Sequence, residues 1–254
     1  MMRFISLAAL LATASAGTLN PRVLQKQTLS TATYPTAVCN DGSPGVYYFD
    51  AAPTGSTQSN IWIVYLQDGG WCWSKEICDA RVSAEVNSVT STTWGPTYNF
   101  ALGSILNAGD DTNFGDTNVI WVRYCSSDAH IGDQAAQVPF DTVGGTASNI
   151  HFRGRRIVQA VLKNLVDVHG MSTTTPQTVV LAGSSAGSRG VLHNLNHMKT
   201  DFAGYSWTQV KTFGIIDSGL YVVQPTIDWT KSDLDVQARA IVTYTNAAID
   251  PICS

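Results

Sequence analysis

A serine framed by glycines carries the most direct chemistry in this chain of 254 residues. Thr178-Val179-Val180-Leu181-Ala182 reads as a short apolar strand and runs straight into Gly183-Ser184-Ser185-Ala186-Gly187. Apolar residues at helical spacing, Val191, Leu192, Leu195 and Met198, begin just after. A G-x-S-x-G between a strand and a helix lifts its serine onto a sharp turn. The flanking glycines remove side chains that would clash, and the helix N-terminus favours negative charge. Ser185 is therefore the candidate nucleophile, and the N–H of Ala186 a candidate donor to a developing oxyanion. A second signal lies upstream, where Ile61 to Gln67 ends in Asp68-Gly69-Gly70-Trp71. A glycine-rich loop after an early strand supplies the other oxyanion donor in hydrolases built this way, which makes the backbone of Gly70 and Trp71 the candidates. One such donor contributes about 3 kcal/mol in the transition state. A plain turn at Gly69-Gly70 is the structural alternative.

A serine nucleophile needs a histidine oriented by a carboxylate, following it in the order Ser, Asp, His. Only His193 and His197 follow Ser185. Both fall on the helix leaving the turn, which carries them roughly 12 and 18 Å from the serine, so they read as ordinary helix positions. His130, His151 and His169 precede it. Asp217, at the end of Ile215-Ile216-Asp217-Ser218-Gly219, could lie near the rim as an orienter with nothing to orient. The sequence thus offers a nucleophile and an oxyanion hole, and leaves the acid and base of the triad without a candidate.

The elements that must position these groups are legible as short apolar runs: Gly45 to Asp50, Ile61 to Gln67, Asn118 to Tyr124, Thr178 to Ala182, Thr212 to Asp217 and Ala240 to Thr245. Runs apolar throughout suit strands covered on both faces, hence a parallel sheet. Between them, Ile157, Val158, Val161, Leu162, Leu165 and Val168 form one stripe of a helix over Phe152 to Val168, ended by Gly170. Alternating strands and helices predict a single α/β domain with right-handed crossovers. Only 13% of residues are charged and the formal net charge is -4, so no basic field exists to attract nucleic acid.

Residues 1–16 pass from Met1-Met2-Arg3 through an apolar run to Ala14-Ser15-Ala16. They read as a secretory signal peptide, with 17–254 as the mature domain; the run is too short to span a bilayer. An oxidising compartment turns Cys39, Cys72, Cys78, Cys125 and Cys253 into candidates for disulfides, with one left over, Cys253 being the obvious one. No second cluster completes a zinc site around Cys72 and Cys78, so no metal or cofactor is expected.

These motifs resemble the pectin acetylesterase and Notum family of carboxylesterases. Cys39-Asn40-Asp41-Gly42-Ser43-Pro44-Gly45-Val46-Tyr47-Tyr48 is similar to the opening strand of that family, and Leu66 to Cys72 with Cys78-Asp79-Ala80-Arg81 to its G-G-W-x-C…C-x-x-R segment. Gly103-Ser104-Ile105-Leu106, Val122 to Asp128, Phe152 to Ile157 and Leu181 to Gly190 resemble further blocks in the same order. The resemblance implies an α/β-hydrolase fold, a mostly parallel sheet flanked by helices, with Ser185 as nucleophile and Gly70, Trp71 and Ala186 as oxyanion hole. It also implies the pairings Cys72 to Cys78 and Cys39 to Cys125. By the same comparison the segment from Ala240 to Cys253 matches the middle of the family pattern, so the C-terminal part is expected to be missing, and apolar surface to be exposed where it would pack.

The expected activity is that of a secreted, monomeric serine carboxylesterase acting on an acylated polysaccharide or another ester, with pectin acetyl groups the leading substrate. Trp71, Trp73 and Trp94 would suit sugar stacking, although core packing explains a tryptophan equally well. A protein or lipid deacylase of the Notum type, a binding protein that has lost acid–base catalysis, and an unrelated lipase or peptidase with the same elbow are the alternatives.

Overall fold

The computed structural model describes residues 22–84, 88–99, 114–141, 147–199, 205, 207–221 and 234–247. The expected signal peptide, the 103–106 block and Cys253 lie outside them. The strands are β1 (Val23–Thr28), β2 (Val46–Asp50), β3 (Ile61–Leu66), β4 (Thr97–Asn99), β5 (Asn118–Val122), β6 (Val138–Asp141), β7 (Ala147–Ile150), β8 (Gln177–Ser184) and β9 (Val210–Asp217). The helices are α1 (Lys75–Ala84), α2 (Gly154–Asp167), α3 (Ala186–Asn194) and α4 (Leu234–Thr245). β6 and β7 form a separate hairpin, and the rest make one sheet in the order β4-β1-β2-β5-β3-β8-β9.

The pairs β5/β3, β3/β8 and β8/β9 are parallel, and β4/β1, β1/β2 and β2/β5 antiparallel. Only β2 and β4 therefore run against the common direction. β5 is buried at every position, as the uninterrupted apolar run Val119 to Val122 requires of a central strand with both faces covered. Ile157, Val158, Val161, Leu162 and Leu165 of α2 pack with Ile63, Val64, Ile120 and Leu181 in the main core. Val168, expected on the same stripe, is instead 60% exposed, because it is the C-cap where the chain turns into Gly170 at φ +73°.

Residues 240–245 correct the sequence reading more substantially: the expected strand is the end of α4. Ile241 and Thr245, four residues apart, are both fully buried, where a strand would bury alternate positions. The run just upstream, Val236-Gln237-Ala238-Arg239, contains good helix formers, and Arg239 pairs with Asp235 one turn back. A six-residue β-branched window looked at alone hides that context.

Both disulfide pairings implied by the resemblance are formed, Cys39–Cys125 and Cys72–Cys78. The first ties the turn before β2 to the end of β5, and the second ties the Trp71 loop to α1. Along β9, Phe213 and Ile216 are 54% and 44% exposed, and Leu220 just beyond is 85% exposed.

Candidate active site

β3 and β8 run side by side with Leu66 opposite Gly183, so the loops leaving both strands emerge at the same edge of the sheet. That register alone brings Ser185 beside the loop of Gly70 and Trp71. Ser185 sits at φ +50°, ψ −115°, outside the allowed regions for an L-residue, a conformation costing on the order of 1–3 kcal/mol. Its environment enforces this. The Ser185 N–H donates to the Asp217 carbonyl at 3.1 Å, and its own carbonyl accepts from the Ser188 hydroxyl and the Tyr221 hydroxyl, each at 2.5 Å. Ser185 is half-buried and begins α3 as its N-cap, with the first helical amides beneath it.

The glycines of the motif are steric requirements. A Cβ on Gly183 would lie 2.5 Å from the Gly187 carbonyl, and one on Gly187 only 2.1 Å from the Leu66 carbonyl oxygen. Gly190 continues the same face of α3, where a Cβ would meet His130 and Leu66 at 2.8 Å. The helix therefore lies directly on the end of β3 and on the loop after β5, as close as backbones allow.

The opposing loop is held as firmly. Gly69 and Gly70 have φ of +140° and +67°, and a Cβ on Gly69 would meet the Tyr124 ring at 2.9 Å. The Tyr124 hydroxyl donates to the Gly70 carbonyl at 2.8 Å and accepts from the Ala129 N–H at 2.6 Å. Trp71 pairs with Asp128 in an isolated antiparallel bridge, and the Cys72 N–H donates to the Ser127 carbonyl at 3.0 Å. Among the described residues, no backbone carbonyl accepts the N–H of Gly70, Trp71 or Ala186. The Gly70–Trp71 loop and the start of α3 thus leave the sheet at the same edge.

Beneath that loop lies a buried polar knot that sequence reasoning missed. Asp128 is fully buried; its Oδ1 accepts from the Ser126 hydroxyl at 2.6 Å and the His130 N–H at 3.0 Å. Its Oδ2 accepts from the Gly154 N–H at 2.7 Å. It therefore caps α2 from a distance, where Arg153 at the N-cap position makes no side-chain cap. Burial pushes the Asp128 carboxyl up to about 6, against the pull of those donors. Burial also pushes His130 down to about 4, and its Nε2 meets the Gln67 carbonyl at 2.9 Å. A neutral His130 therefore donates from Nε2 and pins the start of the Gly70 loop. Ser127, Ala129 and His130 all sit at positive φ, which marks how tightly this segment is wound. Only Ser126-Ser127-Asp128, among the residues that resemble a family block, could have signalled it.

Two further residues frame Ser185. The Arg189 guanidinium, one turn into α3, lies 4.2 Å over the Trp71 ring and 4.8 Å over the Tyr221 ring, which themselves meet edge to face. The i, i+4 spacing from Ser185 was the available signal for Arg189; for Tyr221 there was none.

The sequence candidates distribute as follows. Ser185, Gly70, Trp71 and Ala186 come to one edge. Asp217 is there too, joined to Ser185 through its backbone while its carboxylate takes the Ser218 hydroxyl at 3.1 Å. No histidine is hydrogen-bonded to Ser185 among the described residues. His193 falls in α3, His197 in the short 3-10 turn that follows, and His169 bonds the Tyr47 hydroxyl at 2.7 Å. Trp73 packs against the buried cluster of Tyr124, Ala186 and Ile241, and Trp94 belongs to the main core, away from the elbow. Among the described residues no group of three or more His, Cys, Asp or Glu could hold a metal ion, and no helix is long and apolar enough to cross a membrane.

Comparison with known proteins gives the family and the fold. The family model described as Pectinacetylesterase matches residues 18–248. The chain belongs to the pectinacetylesterase family. Among the curated members it resembles, the palmitoleoyl-protein carboxylesterase notum1' of Xenopus laevis is 32% identical over 186 residues, 72% of this chain and 35% of that protein. The palmitoleoyl-protein carboxylesterase NOTUM of Homo sapiens is 29% identical, over 72% of this chain and 34% of that protein. The solved structure of the Wnt deacylase Notum from Drosophila superposes with a TM-score of 0.75 at 24% identity, covering 91% of this chain and 62% of that one. This establishes an α/β-hydrolase fold for the pectinacetylesterase chain, which spans about a third of the length of the curated relatives it matches.

Proposed function

We propose that this pectinacetylesterase-family chain is a secreted serine carboxylic-ester hydrolase that removes short acyl groups, foremost acetyl, from an acidic polysaccharide such as pectin. The observation that carries the reading is the strained Ser185 standing beside the unpaired amides of Gly70, Trp71 and Ala186. In the first step the Ser185 hydroxyl oxygen bonds to the ester carbonyl carbon, and those N–H groups hold the resulting oxyanion. The C–O bond to the alcohol then breaks, and the alcohol departs with a proton. Water hydrolyses the acyl-serine, releasing the carboxylic acid and restoring the hydroxyl. The serine proton must pass to a base, and among the described residues none contacts it. The two disulfides, and the signal-peptide-like sequence of residues 1–16, support secretion.

The resemblance to palmitoleoyl-protein carboxylesterases favours a second reading, in which the acyl group is a fatty acid carried on a protein. A third is a binding protein that keeps the oxyanion hole without turnover. Hydrolysis of p-nitrophenyl acetate, an acetylated uronate oligomer and a fatty-acyl peptide separates the three. Ser185→Ala is expected to lower turnover by at least about 10³-fold while leaving folding intact. Turnover that survives Ser185→Ala refutes the nucleophile, and ligand binding with no turnover by the wild type selects the binding protein.

A further inference from the structure

On the antiparallel side of the sheet the pairing registers gather a second group of side chains that the reaction does not use. Lys26 pairs with Tyr48, Tyr48 with Trp121, and Leu24 with Tyr98, so Lys26, Tyr48, Trp121 and Tyr98 share one face. Arg123, two residues beyond Trp121, joins them. Its guanidinium carbon lies 4.4 Å from the Trp94 ring centroid, 4.8 Å from that of Trp121 and 6.0 Å from that of Tyr98. The Tyr98 and Trp121 rings are in contact, with centroids 3.8 Å apart.

This is a built site. The Tyr48 hydroxyl donates to the Gly95 carbonyl at 2.7 Å, and the Lys26 ammonium donates to the Trp94 carbonyl at 2.8 Å and the Ser91 carbonyl at 3.3 Å, which fix the 91–95 loop over the sheet. Between loop and strands lies an open groove of about 270 Å³, lined by Arg123, Tyr48, Trp94, Tyr98, Thr93 and Thr97.

Arg123 stands out chemically. Among the described residues no carboxylate pairs with it, its buried Nε has no hydrogen-bond partner, and its guanidinium carbon lies over the Trp94 and Trp121 rings. Burial lowers its pKa from the ordinary guanidinium value. A guanidinium seated among indole rings and lining the groove offers a planar fork that matches a carboxylate. The exposed Tyr98 ring and the threonine hydroxyls beside it match the C–H faces and hydroxyls of a sugar ring.

We propose that the Arg123 groove is a carbohydrate-binding site, separate from Ser185, that recognises the carboxylate of a uronate unit in an acidic polysaccharide. Arg123 directly follows β5, which lies two strand positions from β8 in the sheet order, or about 10 Å across the ladder. The groove extends from there over β2 and β4, away from β8, so only an extended polymer of several units would reach both the groove and the catalytic edge. The inference rests on the acidic-polysaccharide reading for its ligand, while its binding test does not depend on turnover.

The test is calorimetric titration of the full chain with trigalacturonate and with the same trimer as its methyl ester, which keeps the ring and removes the charge. A charge-assisted pairing predicts at least about tenfold tighter binding of the acid form, weakening as salt is raised. Arg123→Met is expected to erase that preference, Tyr98→Ala to weaken both ligands, and Ser185→Ala to change neither. Equal affinity for acid and ester, a preference that survives Arg123→Met in a folded protein, or no binding of either trimer would each overturn the proposal. Should Arg123→Met fail to fold, the acid-to-ester ratio of the wild type and its salt dependence decide the matter. Turnover of p-nitrophenyl acetate in the same samples reports separately on Ser185.

Discussion

Gly187→Ala isolates the steric logic of the elbow. The added methyl carbon would sit 2.1 Å from the Leu66 carbonyl oxygen, 2.8 Å from its carbon and 3.1 Å from the Gln67 carbonyl oxygen. All three are backbone atoms at the end of β3, so no rotamer change relieves the clash. An ordinary contact requires α3 to retreat from β3 by about 1 Å. That retreat separates the Ala186 amide from those of Gly70 and Trp71, which hang from the same end of β3. On the proposed role of these amides, loss of one oxyanion donor costs about 3 kcal/mol, so kcat/KM for p-nitrophenyl acetate should fall about 10²-fold. Overpacking should lower stability in urea by about 1–3 kcal/mol. Gly95→Ala is the control, because its Cβ would come no nearer than 3.9 Å to the Thr97 carbonyl and should change neither quantity. A Gly187→Ala protein within twofold of wild type in activity and unchanged in urea midpoint would refute the claim that close backbone contact sets this site.

The buried pair beneath the loop makes a pH prediction with two opposing signs. His130, depressed to about 4, contributes stability that is present above its unfolded value of 6.5 and lost as pH falls toward 4; Asp128, raised to about 6, costs stability as pH rises through the same interval. The two offset one another in the wild type, so Asp128→Asn should steepen the loss of stability between pH 6.5 and 4, as read from urea midpoints; an unchanged slope would count against the assignment. Tyr221→Phe removes one donor to the Ser185 carbonyl and, at about 1 kcal/mol, should lower kcat about fivefold with little change in fold. Removing Cys39–Cys125, which spans 86 residues, should destabilise by roughly 4–5 kcal/mol, against roughly 2 kcal/mol for Cys72–Cys78, which spans 6. The shorter bridge sits next to Trp71, so its loss should reduce activity more than its stability cost suggests.

The strand-to-helix elbow was readable because its signal is local. A strand run, two glycines in a fixed frame and a helical apolar pattern lie within about twenty residues, and each states its own geometry. The same holds for α2 and for the apolar strands β5 and β8, whose burial on both faces follows from composition alone. Local reading failed at 240–245, where a β-branched window belongs to a helix whose formers lie upstream, and at Val168, one residue past the last buried turn.

What tertiary structure alone decided is which distant residues meet. Strand register carried Gly70 and Trp71 to Ser185, 115 residues away, and it placed Arg123, Tyr98 and Tyr48 on one face. Asp128 became the cap of a helix that starts 26 residues later, and Tyr124 the brace of the Gly70 loop. Such pairings depend on long-range packing and on backbone approach distances set by glycines, and neither has a period or a spacing for the sequence to display. The kinds of group available were written in the chain; their mutual distances, and hence their chemistry, came from the fold.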